Sequence, residues 1–262
     1  MASDAKTRQS LFLYLALTLG LSAIFWAWSF AGASLIQVAP LLMWMPALAA
    51  IVTQLGFHRT LAGMGWRLGP WRYLVFACLI PVAYCGLIYG PVWLTGLGRF
   101  DGSHLRTVLG FLPLLFLWSL VTALGEEIGW RGFLLPTWYR AGGFGWAALG
   151  TGILWGLWHV PLIAGGGYQA GTPKWYGIPC FLISVTGISV MLAWLRLRSG
   201  SLWPAAVFHG AHNLVIQGIC DRCTIDTGRT QWITTEFGSG LFIITIVLAS
   251  YFWRRRGELP PA

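Results

Sequence analysis

Two adjacent carboxylates and an arginine interrupt a stretch of sequence that otherwise predicts burial in lipid. They are Glu126, Glu127 and Arg131, and no charged residue lies between Thr107 and Leu124. Charges at membrane depth are costly and are kept where they are paired or functional. Glu127 and Arg131 are four residues apart with the acid first, the favourable order for a helical ion pair. Glu126 lies about 100° around the helix, so the sequence predicts one neutralised carboxylate and one free to face a cavity.

The second candidate is His159, which follows Trp155 by four residues in an otherwise apolar segment. A lone histidine in such a helix is often a hydrogen-bonded core residue, and that alternative stands on this residue alone. Its position adds a second argument. Glu126 and His159 are almost equidistant in sequence from the turn at 141–143. In an antiparallel helical hairpin they would lie at the same depth.

The third candidate is the pair His209 and Asn213, again four residues apart and therefore on one helix face. The alternative interpretation is a polar pair that bridges two helices. His212 is rotated about 60° from His209 and can face elsewhere. Two histidines at this spacing would indicate a metal site. Asparagine at the second position is a poor zinc ligand and a good hydrogen-bond donor.

Together the three segments supply the groups that hydrolysis by an activated water requires. Glu126 and His159 can orient and deprotonate a water, while His209 and Asn213 can donate hydrogen bonds to an oxyanion. No serine or cysteine near these residues in the sequence has a feature that identifies it as a nucleophile. Glu126, His159 and His209 are also a possible catalytic zinc set, so zinc remains an open alternative. In a zinc site Glu126 would be a ligand, and Glu127 would have to act as the base. We favour metal-independent chemistry because Glu127 is predicted to be paired with Arg131.

Membrane helices must position these residues. The 262-residue chain is 56% hydrophobic and 10% charged, with a mean hydropathy of +0.67, whereas soluble domains carry about 25% charged residues. We predict an all-α fold, a polytopic membrane helical bundle of about eight transmembrane helices that forms a single domain over residues 1–262. Each span needs about 20 apolar residues, and the candidates are Leu11–Gly32, Ile36–Phe57, Tyr73–Leu97, Thr107–Trp130, Phe144–Ala164, Trp175–Leu195, Leu202–Ile219 and Gly238–Trp253.

The distribution of basic residues predicts an orientation, because Lys and Arg accumulate on cytoplasmic loops. With both termini cytoplasmic and an uncleaved first span, twelve basic residues including Arg131 fall inside and five outside. We expect a multi-pass protein of the bacterial inner (cell) membrane. A nucleic-acid footprint would need a clustered basic face, and none is visible. Cys220 and Cys223 begin an outer loop, where a disulfide is an open alternative.

The three motifs together resemble those of the CAAX-protease and bacteriocin-processing family, also called Abi or CPBP. Its pattern is Glu-Glu-x-x-x-Arg, Phe-x-x-x-His and His-x-x-x-Asn, and the motif-bearing region here is 125–213, with Trp155 replacing the phenylalanine. The resemblance implies an intramembrane endopeptidase whose conical cavity opens to the cytoplasm and the membrane. The eukaryotic relatives trim three residues from prenylated CAAX proteins. The roles it implies are water activation by Glu126 and His159, an oxyanion hole of His209 and Asn213, and support from Glu127 and Arg131.

Two other classes of protein compete with this interpretation. A non-enzymatic membrane scaffold or bacteriocin-immunity protein would keep the motif residues as a helix-packing network. A transporter would use intramembrane carboxylates and histidines as a relay, but inverted repeats would be expected and none is apparent. For a peptidase we expect a membrane-associated peptide or lipidated protein as substrate, reaching the site from the membrane or the inner face.

Overall fold

The chain folds almost entirely into helices. The structure, a computed structural model, describes residues 2–165 and 167–261, with side chains from residue 5 onward. Two three-residue strands, β1 (Gly98–Phe100) and β2 (Thr224–Asp226), pair antiparallel. The α-helices are α1 (Ala2–Phe30), α2 (Leu35–Leu42), α3 (Met45–His58), α4 (Trp71–Leu94), α5 (Leu105–Gly110), α6 (Leu112–Glu127), α7 (Leu135–Ala164), α8 (Lys174–Ser199), α9 (Trp203–Asn213) and α10 (Ser239–Arg254).

The predicted all-α polytopic bundle is confirmed. In the part of the chain that the structure describes, five helical runs are long and apolar enough to cross a membrane. One of them, Leu112–Ala164, is 53 residues long and bends at Gly143, where φ is 72°. Because this run covers two predicted spans, five helical runs account for six of the eight. The seventh corresponds to α9 with its continuation to Cys220, and the eighth to the 16-residue α10.

Glycines allow the helices that carry the motifs to approach each other closely. A Cβ on Gly125 of α6 would lie 2.6 Å from the carbonyl oxygen of Met43, at the break between α2 and α3. A Cβ on Gly210 of α9 would lie 2.9 Å from the Cα of Leu120. Real Cβ atoms do not tolerate such contacts, so only glycine permits this spacing. The two glycines thereby hold α6 against α3 and α9, next to the polar motif residues.

Each of the two main motif segments runs directly into a π-helical turn. Ile128–Leu134 follows Glu127, and Leu214–Cys220 follows Asn213. Such wide turns are rare and often occur at functional sites. The first of these turns contains Arg131, and the second begins directly after Asn213.

The ends of the helices form two opposite ends of the molecule. At the first, which we call the terminal end, the loops 59–70, 140–143 and 199–202 lie with both chain termini. The Leu202 amide donates to the Gly65 carbonyl over 2.9 Å, and the Tyr139 hydroxyl donates to the Pro260 carbonyl over 2.5 Å.

The opposite end, which we call the sheet end, contains both strands. It comprises residues 31–34, 95–104, 165, 167–173 and 221–238. The Trp93 indole donates to Thr224 Oγ1 over 2.9 Å, and the Tyr176 hydroxyl donates to the Trp232 carbonyl over 2.6 Å. The loops of the sheet end are thus bound to one another as well as to the helices.

Candidate active site

A buried cavity of about 110 Å³ lies in the bundle. All four residues predicted to be catalytic line it: Glu126, His159, His209 and Asn213. A water needs roughly 10–15 Å³ of such space and two to four polar partners, so the cavity has room for several. Its remaining wall is mostly apolar and aromatic, and includes Leu35, Leu42, Met43, Trp155, Trp158, Leu162, Phe181, Val185, Ile188 and Phe208.

The carboxylate of Glu126 is buried and held by a neighbouring helix. Its side chain accepts a hydrogen bond at Oε2 from the Trp155 indole over 2.5 Å. The carboxylate keeps Oε1 for a partner in the cavity, because each oxygen accepts independently. Trp155 therefore does more than pack, which is the only role that the sequence suggested for it. A phenylalanine at this position would lack the indole N–H.

The ring of His159 is oriented by the backbone of its own helix. Its Nδ1 lies 2.9 Å from the Trp155 carbonyl oxygen. Because a carbonyl only accepts, Nδ1 carries a proton, and in the neutral ring Nε2 is then the unprotonated nitrogen. The ring also packs edge-on against Trp158, with centroids 4.8 Å apart, and against Phe181 at 5.2 Å. His159 thus presents a basic nitrogen in a fixed ring plane.

Glu127 binds two partners through one carboxylate oxygen. Its Oε1 accepts from Arg131 Nη1 over 3.0 Å and lies 2.9 Å from His209 Nδ1. Both Glu127 and Arg131 are fully buried, and the Arg131 guanidinium lies 4.2 Å from the centre of the Trp155 ring. Glu127 therefore orients the His209 ring across two helices, a contact that the sequence did not reveal. The Arg131 side chain, which was counted above with the cytoplasmic segments, is enclosed within the bundle.

A second polar cluster, formed by His212, Glu236, Tyr168 and Gln217, lines the same cavity. His212 Nε2 lies 2.8 Å from Glu236 Oε1, and Gln217 Nε2 donates to Glu236 Oε2 over 2.9 Å. The Tyr168 hydroxyl donates to the same oxygen, and His212 Nδ1 pairs with the Tyr84 hydroxyl. Sequence analysis gave no role to Glu236 or Gln217. The sequence offered two signals. His212 lies off the helix face that His209 and Asn213 share, and Tyr168 is the one ionisable residue besides His159 between Arg140 and Lys174.

A strained turn carries Glu236 into the cavity. The preceding residue, Thr235, has a φ of 66°, which is unusual for a β-branched side chain and occurs mainly where surrounding contacts enforce it. Its amide donates to the Tyr89 hydroxyl over 3.0 Å, and that hydroxyl donates to Asp221 Oδ1 over 2.5 Å. The Phe237 amide donates to Thr235 Oγ1 over 3.1 Å. Asp221 and Tyr89 therefore fix the turn that places Glu236.

The two carboxyls of this region respond differently to their surroundings. Burial by itself would raise the pKa of Glu236, but hydrogen bonds from His212, Tyr168 and Gln217 outweigh it, and the pKa is lowered. Burial dominates at Asp221 and raises its pKa to about 7, against the lowering effect of the Tyr89 hydrogen bond. Glu236 is thus held ionised at neutral pH, whereas Asp221 is poised to change charge there.

The possible zinc ligands do not form a metal site in this arrangement. Among the described residues, no three His, Cys, Asp or Glu side chains are placed to hold a metal ion. Glu126, His159 and His209 are therefore not grouped as zinc ligands in this arrangement. Cys220 and Cys223 are free thiols rather than a disulfide.

The fold and cavity define an integral multi-pass membrane protein with a buried polar site. Residues 108–215 match the sequence model of the type II CAAX prenyl endopeptidase family described as Rce1-like. Over 109 residues the chain is 36% identical to a protein of Methanococcus maripaludis named CAAX prenyl protease 2. The aligned part covers 40% of this chain and 40% of that relative. The resemblance inferred from the three motifs is confirmed for the segment that carries them.

Proposed function

We propose that this protein is an intramembrane endopeptidase that hydrolyses a peptide bond with a water activated by Glu126 and His159. The observation that supports this most is the convergence of Glu126, His159, His209 and Asn213, from three helical segments, on one cavity large enough for water. The match to a prenyl endopeptidase family over the same segment supports the reaction class.

Water activation requires an acceptor whose other contacts hold it still. Glu126 meets this requirement, since Trp155 binds one carboxylate oxygen and the other can accept from a water. His159 supplies a second acceptor at Nε2, because its Nδ1 proton is bound by the Trp155 carbonyl. General-base assistance of this kind contributes typically 10²–10⁴-fold to a rate. Trp155 positions both acceptors, one through its indole and one through its backbone.

Stabilisation of the tetrahedral intermediate is assigned to His209 and Asn213. His209 can donate from Nε2 when both ring nitrogens are protonated, and the Glu127 carboxylate at Nδ1 would balance the positive charge of that ring. Asn213, one helical turn later, adds an amide N–H from the same face. Loss of one donor to a developing oxyanion costs about 10²–10³ in turnover.

The walls of the cavity favour an apolar segment beside the scissile bond. Leu42, Phe181, Val185 and Ile188 line it, and such surfaces bind apolar groups by excluding water. We therefore propose a membrane-associated peptide or lipidated protein as substrate, including a prenylated peptide of the kind that the relative's name indicates.

The test is cleavage of a fluorogenic prenylated peptide by the purified protein in lipid nanodiscs. Glu126→Gln preserves the size of the side chain but removes the base, and we expect turnover to fall at least 10³-fold with unchanged thermal unfolding. Glu258→Gln is the matched control, since Glu258 is an exposed carboxylate that pairs with Arg255; its turnover should stay within twofold. Equal turnover in both variants would refute the mechanism, and a folded wild type inactive on peptide libraries would support a scaffold.

A further inference from the structure

We infer that a groove between α4, α8 and α10 binds one anionic phospholipid, with its phosphate among three arginines and an acyl chain along an aromatic floor. The groove has a volume of about 400 Å³. Among the described residues, no side chain lines both this groove and the active-site cavity. The inference therefore goes beyond the proposed function and does not depend on it.

Three helix ends bring positive charge to the rim of the groove. Arg72 is the second residue of α4, Arg198 is the last but one of α8, and Arg255 directly follows α10. All three line the groove at the terminal end of the bundle. Basic pockets between transmembrane helices bind the headgroups of anionic lipids. The convergence of three arginines from three helices gives the groove this character.

The groove keeps an excess of positive charge. Its one acidic side chain among the described residues is Glu258, which binds Arg255 through both oxygens, over 2.6 and 2.8 Å. Neither Arg72 nor Arg198 forms an ion pair with a carboxylate in the described part of the chain. Three arginines and one glutamate leave two positive charges, which complement a phosphate diester. They would repel the cation of a zwitterionic headgroup.

Arg255 is held in place by the groove itself. Its guanidinium lies 4.8 Å from the centre of the Trp194 ring, and the Trp194 indole donates to the Arg255 carbonyl over 3.0 Å. Its Nη1 donates to the Tyr251 hydroxyl over 2.9 Å. Glu258 and Tyr251 thus use three of the five N–H groups of the guanidinium, and two remain for a phosphate oxygen. A donor that is already ordered loses little entropy when a ligand binds.

An aromatic floor lies one helical turn deeper than the arginines. Each arginine has an aromatic residue four positions further into its helix, namely Phe76, Trp194 and Tyr251. Phe252 joins them, with ring centres 6.0, 5.2 and 5.1 Å from those three rings, respectively. Phe76 is 37% exposed and Tyr251 is 51% exposed. The groove therefore has charge at the helix ends and open apolar surface next to it, which is the arrangement of groups in a phospholipid.

The apolar surface continues beyond the groove. Leu79 extends the face of Phe76 along α4, and Val247 extends that of Tyr251 along α10, at helical spacings of three and four residues. These two side chains are 58% and 64% exposed. An acyl chain would cover this surface, and burial of apolar area favours binding. A free phosphate or an acidic peptide would engage only the arginines, so we assign the groove to a phospholipid.

Native mass spectrometry of the full-length protein in detergent tests the charge requirement. Phosphatidylglycerol and phosphatidylcholine with identical acyl chains are titrated separately, and we expect the wild type to bind the anionic lipid about tenfold more tightly or better. Each basic residue near an anionic lipid surface contributes about fivefold in affinity. The double variant Arg72→Gln/Arg198→Gln should therefore bind phosphatidylglycerol about 10–30-fold more weakly, with its affinity for phosphatidylcholine unchanged.

The matched control is Arg99→Gln/Arg106→Gln, which removes the same charge from two exposed positions outside the groove. Its affinity for phosphatidylglycerol should stay within twofold of the wild type. Equal binding of both lipids by the wild type, or an equal loss in both double variants, would overturn the inference. Glycerophosphoglycerol, the headgroup without acyl chains, is added as a competitor and should not displace the lipid at equimolar concentration. Displacement would show that the anion alone is recognised and would overturn the assignment to a phospholipid.

Crosslinking locates the lipid on the unmodified chain, so this test does not depend on the folding of any variant. Phosphatidylglycerol with a photoactivatable acyl chain is added at a low ratio to the wild type in phosphatidylcholine nanodiscs. We expect crosslinked peptides from 71–79 or 247–255, and an excess of unlabelled phosphatidylglycerol should suppress them. Crosslinks confined to other segments, or their persistence in that excess, would overturn the inference. Neither measurement uses peptidase activity, so failure of the proposed function would leave this result unaffected.

Discussion

Two carboxylate–histidine pairs present their histidines to the same cavity and are built in opposite ways. Glu127 and His209 are joined at 2.9 Å, and Glu236 and His212 at 2.8 Å. The first carboxylate also binds Arg131 four residues along its own helix. The second binds Tyr168 and Gln217, which are neutral donors. The first pair is thus part of a charge network within helices, whereas the second is assembled from a loop, a helix and a π-helical turn.

The fold should depend more on the first pair than on the second. A buried ion pair that loses one member leaves an uncompensated charge, which costs about 3–5 kcal/mol. Replacing a carboxylate that binds neutral donors by an amide should cost much less stability. We therefore expect the first pair to be essential for folding and the second to adjust the site.

Glu127→Ala should cost more stability than any change to the second pair. It leaves Arg131 buried without its carboxylate and His209 without its orienting partner, so we expect a loss of about 3–5 kcal/mol of stability and loss of peptidase activity. Thermal unfolding in detergent, followed by tryptophan fluorescence, measures the first effect. The double variant Glu127→Gln/Arg131→Met is the control, and should recover much of the stability but not the activity. If Glu127→Ala unfolds at the same temperature as the wild type, the fold does not depend on the first pair.

Glu236→Gln should cost less, about 1–2 kcal/mol, because one hydrogen bond to a charged group is weakened while the other contacts can persist. Peptidase turnover should fall about 3–10-fold, since His212 loses its anionic partner at the cavity wall. A drop as large as that of Glu126→Gln would instead give Glu236 a role equal to the predicted base. Parallel unfolding and turnover measurements on both variants decide this.

Asp221→Asn should change the pH dependence of stability. The pKa of Asp221 is raised in the fold to about 7, whereas an unfolded chain has about 3.9. The folded state therefore binds more protons between these values, and the stability of the wild type should fall as the pH rises from about 4 to 7. Asparagine keeps an acceptor for the Tyr89 hydroxyl, so the variant should lack this decline. Melting temperatures at pH 5 and pH 8 that differ equally in both proteins would contradict the assignment.

Tyr168→Phe should have the smallest effect. It removes one neutral donor to Glu236 but keeps the ring that packs against His159 and Phe237, with centroids 6.0 and 5.2 Å away. We expect a loss of about 0.5–1.5 kcal/mol and turnover within threefold of the wild type. Tyr176→Phe, at an exposed hydroxyl of the sheet end, is a matched control. A larger loss of turnover in Tyr168→Phe than in Glu236→Gln would show that the hydroxyl acts on its own.

The sequence predicted the fold class and three polar segments because both depend on local patterns. Apolar runs of about 20 residues indicate spans regardless of their partners, and the four-residue spacing of Glu127 and Arg131 is a property of one helix. Two interpretations fell short for the opposite reason. The sequence suggested only a packing role for Trp155, and it did not reveal that the Arg131 side chain is fully buried. Whether an indole or a guanidinium is enclosed depends on neighbouring helices, which sequence spacing does not specify.

By itself, the sequence determined an all-helical membrane bundle, the identity of the groups available for hydrolysis and the excess of basic residues at one set of helix ends. These follow from transfer free energies and helical periodicity, which act over a few turns. The contact of Glu127 with His209 and that of Glu236 with His212 follow from the tertiary structure alone. Those features depend on the approach of segments that are 24 to 82 residues apart, which glycine contacts and a strained turn set in space rather than along the chain.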